Sequence, residues 1–104
     1  MAKIILFVSK NCPHCPRAAS VFSKVTRQYE DYNLNYNKLR TKTDIGHTLS
    51  IRYGINSFPT ALFFNEEEKI VSRISGVPSE ESVKRKIDKL LGLNKSFFDR
   101  LFRK

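Results

Sequence analysis

SKNCPHCPRAAS, residues 9–20, holds both cysteines of the chain, Cys12 and Cys15, with Pro13 and His14 between them. KIILFV (Lys3 to Val8) stands directly before it, a continuous apolar run of strand length, as in a strand covered on both faces. Behind it, Ala18, Ala19, Val21, Phe22, Val25 and Tyr29 recur at helical spacing, which predicts an amphipathic helix over about residues 13–30. The cysteine pair therefore lies where a buried strand gives way to a helix. Cys12 then falls at the helix N-cap and Pro13 at the first helical position, where its missing N–H leaves no bond unmade. Pro16 fits less well, because it removes an early helical N–H and disfavours helical geometry at Cys15. It allows a second placement, with the regular helix starting only at Pro16 and the motif in the turn before it.

YNLNYNKLR (Tyr32 to Arg40) alternates apolar and polar residues, with Leu34, Tyr36 and Lys38 on one side, and reads as a second strand. A short helix is predicted over Asp44 to Tyr53, with Thr43 as N-cap and Gly54 at its C-terminal end. PTALFFN is a third strand, NEEEK a polar turn and IVSRIS a fourth strand, which together make an antiparallel hairpin. Ser79 caps the helix that follows, and Glu80 and Glu81 suit its positive end. Glu80–Lys84 and Glu81–Arg85 are i,i+4 pairs on that helix, Val83, Ile87, Leu90 and Leu91 form its apolar stripe, and Gly92 ends it. The order β-α-β-α-β-β-α implies an α/β fold. A right-handed unit with two parallel strands is completed by a hairpin and a helix into a four-stranded mixed sheet with helices on both faces. Residues 1–92 make up the domain. Residues 93–104 are a basic amphipathic extension of it, a short C-terminal helix with Phe97, Phe98, Leu101 and Phe102 on one side.

At 104 residues, 40 % of them apolar, the chain suits one domain with a single core. Phe7, Phe22, Phe63 and Phe64 are the best candidates for its centre. No apolar run approaches the roughly 20 residues a membrane span needs. The N-terminal stretch lacks a small-x-small cleavage site, so a cytoplasmic protein without a membrane span is expected. A net charge of +9 favours acidic partners. Nucleic acid is not expected among them: a stacking platform needs aromatics on an open sheet face, and here helices cover both.

Three chemistries can use two cysteines at this spacing. A structural staple gains little, because a bridge closing so small a loop removes little unfolded-state entropy, and the cytosol keeps thiols reduced. Zinc wants four ligands, and only His14 and His47 could join the two sulfurs. His14 lies inside the cysteine loop and would point away from such a site, while His47 reads as a surface residue of the middle helix. A metal or iron–sulfur cluster shared between two chains stays open. Dithiol–disulfide exchange fits best, since C-x-x-C between a buried strand and a helix is a redox signature in an α/β chain. The positive end of the helix, with His14 beside it, favours the Cys12 thiolate. Cys15, one turn deeper, is the resolving thiol.

CPHCPRA after a buried strand, YGINSFPT before the third strand and SGVPSEES before the last helix together resemble the thioredoxin superfamily. The chain is most similar to the small glutaredoxin-like thioredoxins of archaeal type, over residues 3–92. The resemblance implies that Pro59 is cis and packs against the cysteine pair. It implies that Phe58 turns its main chain outward to meet an extended substrate, and that Gly76 and Val77 line the same surface. The sequence also departs from the family. Asn11 stands where thioredoxins carry a tryptophan, and Leu6 where they bury an acid that deprotonates the second cysteine; Arg40 is a candidate basic neighbour in its place. GVPS replaces the glycine pair and acid with which glutaredoxins hold glutathione, which favours protein substrates. The C-P-H-C sequence itself resembles that of a strongly oxidising periplasmic oxidase, over four residues.

The reading that follows is a thiol–disulfide oxidoreductase that exchanges the Cys12–Cys15 pair with protein disulfides, as a cytosolic reductant. Resemblance implies a thioredoxin-reductase-like flavoenzyme as its electron source. A monomer is expected, with no metal and no cofactor beyond the redox-active disulfide itself. The rivals are a non-enzymatic module holding an intermolecular metal or cluster, and a protein disulfide oxidase or isomerase.

Overall fold

In the computed structural model, which describes residues 1–93, β1 (Ala2–Val8) runs through the middle of the sheet. It pairs in parallel with β2 (Leu34–Arg40) and antiparallel with β3 (Thr60–Phe64), and β4 (Ile70–Ser75) lies beyond β3, giving the order β2-β1-β3-β4. The two central strands carry the unbroken apolar runs, Ile4 to Val8 and Ala61 to Phe64, because both of their faces are covered. Among the described residues β2 and β4 have no strand beside their outer margins. β2 carries Asn35, Asn37, Lys38 and Arg40, and β4 carries Ile70 and Val71, which are 43 % and 52 % exposed.

The alternation of β1 and β3 divides the core in two. Ile4, Leu6, Val8, Ala61 and Phe63 face α1 (Cys15–Arg27) and α3 (Glu80–Leu91), where Phe22, Val25, Val83 and Ile87 meet them. Ile5, Phe7, Leu62 and Phe64 face the other way, toward Leu49 of α2 (Asp44–Arg52), Tyr53 and Ile55. The four phenylalanines expected at the centre are all buried there. Phe22 is the link on its side, with its ring 6.1 Å from that of Tyr36 on β2 and 6.2 Å from that of Phe63 on β3. Burial pushes the Tyr36 phenol up to about 12. Tyr29, 9 % exposed, donates from its hydroxyl to Asp88 at 2.7 Å and so pins the end of α1 to α3. Burial first, and that carboxylate second, push the Tyr29 phenol up as well, so it stays protonated.

Helix ends follow the expected side chains. Thr43 Oγ1 accepts from the Gly46 N–H at 3.1 Å, and Ser79 Oγ accepts from the Ser82 N–H at 3.1 Å. Gly92 closes α3 at a φ of 74°, the left-handed value that glycine adopts without a Cβ penalty. Three expectations are corrected. The second strand begins at Leu34 rather than Tyr32, because a short 3-10 turn (Glu30–Tyr32) and a left-handed Asn33 precede it. α1 is shorter than expected at both ends. Neither i,i+4 pair forms on α3; Glu80 instead reaches Lys24 on α1 at 3.1 Å, since the two helices lie side by side. The amphipathic extension expected over residues 93–104 lies, apart from Leu93, outside the described residues.

Candidate functional site

The sulfurs of Cys12 and Cys15 are joined in a disulfide, with their Cα atoms 5.4 Å apart. His14, not Cys12, is the N-cap of α1, so Cys12 sits in the turn before the helix and Cys15 is its first residue. This corrects the first of the two expected placements and comes close to the second. Pro16 is the physical reason. A helix capped by Cys12 would need the N–H of residue 16 to bond the Cys12 carbonyl, and proline has none. Moving the cap to His14 hands that first bond to Ala18, whose N–H donates to the His14 carbonyl at 3.1 Å. Pro16 then falls in the first turn, where no intrahelical donor is required.

Burial separates the two sulfurs. Cys15 is 5 % exposed and belongs to the core cluster of Leu6, Val8 and Phe22, whereas Cys12 packs on its rim and is half-buried. Leu6, where an acid was missed in the sequence, is fully buried in that cluster. Pro13 and His14 are exposed beside the disulfide.

The other expected site residues collect at the same end of the sheet. The Phe58–Pro59 bond is cis, and Pro59 is buried. With Phe7 opposite Thr60, the register puts Pro59 at the level of Val8, the last residue before the cysteine loop. Phe58 packs against both core clusters, one of them shared with Cys12 and Cys15. Gly76 donates its N–H to the Pro59 carbonyl at 2.9 Å and takes a φ of 87°, which closes the β4–α3 loop over the proline. Val77 follows it, half-buried. His47 is exposed on α2, apart from this group. Among the described residues no three His, Cys, Asp or Glu side chains converge as a metal-ligand set, and no helix is long and apolar enough to cross a membrane.

Of the basic wall of this site, sequence reasoning named Arg40 and missed its partners Lys10 and Lys38. A hollow of about 220 Å³ beside the disulfide is lined by Cys12, Cys15, Lys10, Lys38 and Arg40. Lys38 and Arg40 continue the face of β2 that Leu34 and Tyr36 begin, so their spacing of two was the available signal. Arg40 is held by close packing behind it. Its carbonyl accepts from Thr43 Oγ1 at 2.7 Å, and a Cβ on Gly46 would run into that carbonyl. Gly46→Ala is therefore expected to force α2 off the end of β2 and to cost about 2 kcal/mol, read as a lower midpoint in denaturant unfolding. Unchanged stability would contradict the close approach.

The thioredoxin family model matches residues 2–89. The chain belongs to the thioredoxin family. It is similar to a probable thioredoxin of Archaeoglobus fulgidus, 36 % identical over 92 residues that span 88 % of this chain and 92 % of the relative. Among solved structures, the thioredoxin of Malassezia sympodialis superposes with a TM-score of 0.74 at 18 % identity, over 86 % of this chain and 75 % of that one. A thioredoxin-like protein of Clostridium perfringens does so with a TM-score of 0.75 at 22 % identity, over 86 % and 71 %. These two likenesses concern the fold. The thioredoxin model and the Archaeoglobus relative, together with a C-x-x-C disulfide at the start of α1, make the chain a thiol–disulfide oxidoreductase.

Proposed function

We propose that this thioredoxin-family protein reduces protein disulfides in the cytoplasm, with Cys12 as the attacking thiol and Cys15 as the resolving one. The observation that carries the assignment is the unequal burial of the two sulfurs: an incoming disulfide can reach Cys12, while Cys15 lies against the core. In the reduced protein the Cys12 thiolate, near the positive end of α1, attacks one sulfur of the substrate bond. A Cys12–substrate disulfide forms and the other substrate sulfur leaves as a thiolate. Cys15 then loses its proton and attacks the Cys12 sulfur, which expels the second substrate thiolate and restores the bridge. Two electrons and, after protonation, two protons have passed to the substrate. With Leu6 in place of an acid, the positive field of Lys38 and Arg40 favours the Cys15 thiolate.

Phe58 lies outside the β1–β3 ladder, and its main chain, with Gly76 and Val77 beside it, offers an edge for an extended substrate segment. Pro13 and His14 follow the attacking Cys12 and tune its acidity. A flavoenzyme of the thioredoxin-reductase kind returns the dithiol, and the protein works as a monomer without a bound cofactor. The test is the reduction potential of the Cys12–Cys15 couple, measured by equilibration with glutathione buffers. A reductant should lie at or below about −220 mV. A value near about −120 mV would reverse the direction of electron flow and overturn the reading.

A further inference from the structure

We propose that the basic hollow beside the disulfide recognises polypeptide substrates whose disulfide is flanked by carboxylate side chains. The proposal rests on the oxidoreductase reading above and adds a substrate class to it. The hollow at the cysteines continues into a second one of about 230 Å³; the two share Val8, Ser9, Lys10 and Arg40, and the second ends at Lys42. The result is one groove running from the sulfurs to Lys42, with four cations along it and no aspartate or glutamate in its lining.

Among the described residues no carboxylate pairs with those cations. The ion pairs among the described residues are Lys3–Glu68 and Lys24–Glu80, both elsewhere. Asp44, in the first turn of α2, lines neither hollow. Many of the carboxylates gather at the opposite end of the sheet, Glu30 and Asp31 ahead of β2 and Glu66, Glu67 and Glu68 in the β3–β4 turn. A cleft lined by charge of one sign concentrates the opposite sign and raises its encounter rate. The groove opens on the sulfurs, so its occupant must bring a disulfide with it, which a nucleic acid does not. Its continuation to Lys42 suits a chain segment that extends beyond the reacting cysteine.

The experiment uses two synthetic peptides of equal length, each with one disulfide. One is flanked by Asp and Glu, the other by Asn and Gln. At about 0.01 M salt, where charges act over about 30 Å, kcat/KM should favour the acidic peptide about tenfold. At about 1 M salt, where the range falls to about 3 Å, the preference should vanish. The double substitution Lys10→Glu with Arg40→Glu should invert the ratio, which is read within one preparation and so does not depend on how much of it is folded. Equal rates at low salt, or a preference that neither salt nor the substitutions move, would overturn the proposal and leave the oxidoreductase reading standing. Oxidised glutathione reduced as fast as the acidic peptide would overturn the choice of a polypeptide. Reduction of neither peptide by the unaltered protein would remove both readings.

Discussion

Cys12→Ser is expected to lower disulfide reduction at least about a thousandfold, and Cys15→Ser to halt it after half a cycle with the substrate held on Cys12. The two substitutions change the same atom and should fail differently, because the sulfurs are unequally placed. A serine hydroxyl at position 12 forms no mixed disulfide, and Cys15, 5 % exposed, does not reach an incoming bond in its stead. With Cys12 intact and Cys15 replaced, the first exchange proceeds and the second has no nucleophile. Mass spectrometry should then find the protein one substrate half heavier, and a reductant should release it. Turnover surviving in Cys12→Ser, or Cys15→Ser cycling at the original rate on a protein disulfide, would assign the roles wrongly.

The second large effect is on stability. Phe22→Ala should cost about 4 kcal/mol, a large part of the about 5–15 kcal/mol that holds a domain folded. Phe22 is fully buried and touches three elements at once: it projects from α1, its ring stacks on Tyr36 at an interplanar angle of 12°, and it leans on Phe63. No neighbour on the two strands can follow it into the space, so the transfer loss is joined by a cavity. For a domain of this size the melting temperature should fall by about 15–30 °C, followed by circular dichroism. Phe22→Leu, which keeps much of the volume, should lose far less. A loss below about 1 kcal/mol for the alanine variant would mean that the cluster closes over the gap. α1 carries Cys15 at its first residue, so the same substitution loosens the seat of the buried sulfur.

What the sequence disclosed and what it withheld divide along physical lines. The strands, the caps at Thr43 and Ser79 and the cysteine pair depend on residues a few positions apart, and those were legible. The true start of α1 was legible in principle too, because it follows from the donor that Pro16 lacks at a distance of four residues. The pairing of Glu80 with Lys24 was not. It needs α1 and α3 side by side, and an i,i+4 partner on the same helix looked equally good. Beyond Arg40, the basic groove was hidden for a related reason. Lys10 comes from the loop after β1, Lys38 and Arg40 from β2, and Lys42 from the turn that follows, and only the parallel pairing of Val8 with Arg40 brings them to one place.

The strand order also governs how copies of this protein would meet when crowded or heated. Strand addition, the first step toward fibrils, needs a margin whose main chain is open and whose side chains do not repel a twin. Along β2 the cations at Lys38 and Arg40 would face the same cations in another copy, whereas β4 carries the single cation Arg73 and its Ile70 and Val71 offer no such repulsion. Aggregation would therefore start on the side away from the redox groove. A lysine placed at Val71 would be the gatekeeper to add, because it leaves the chemistry of Cys12 and Cys15 untouched.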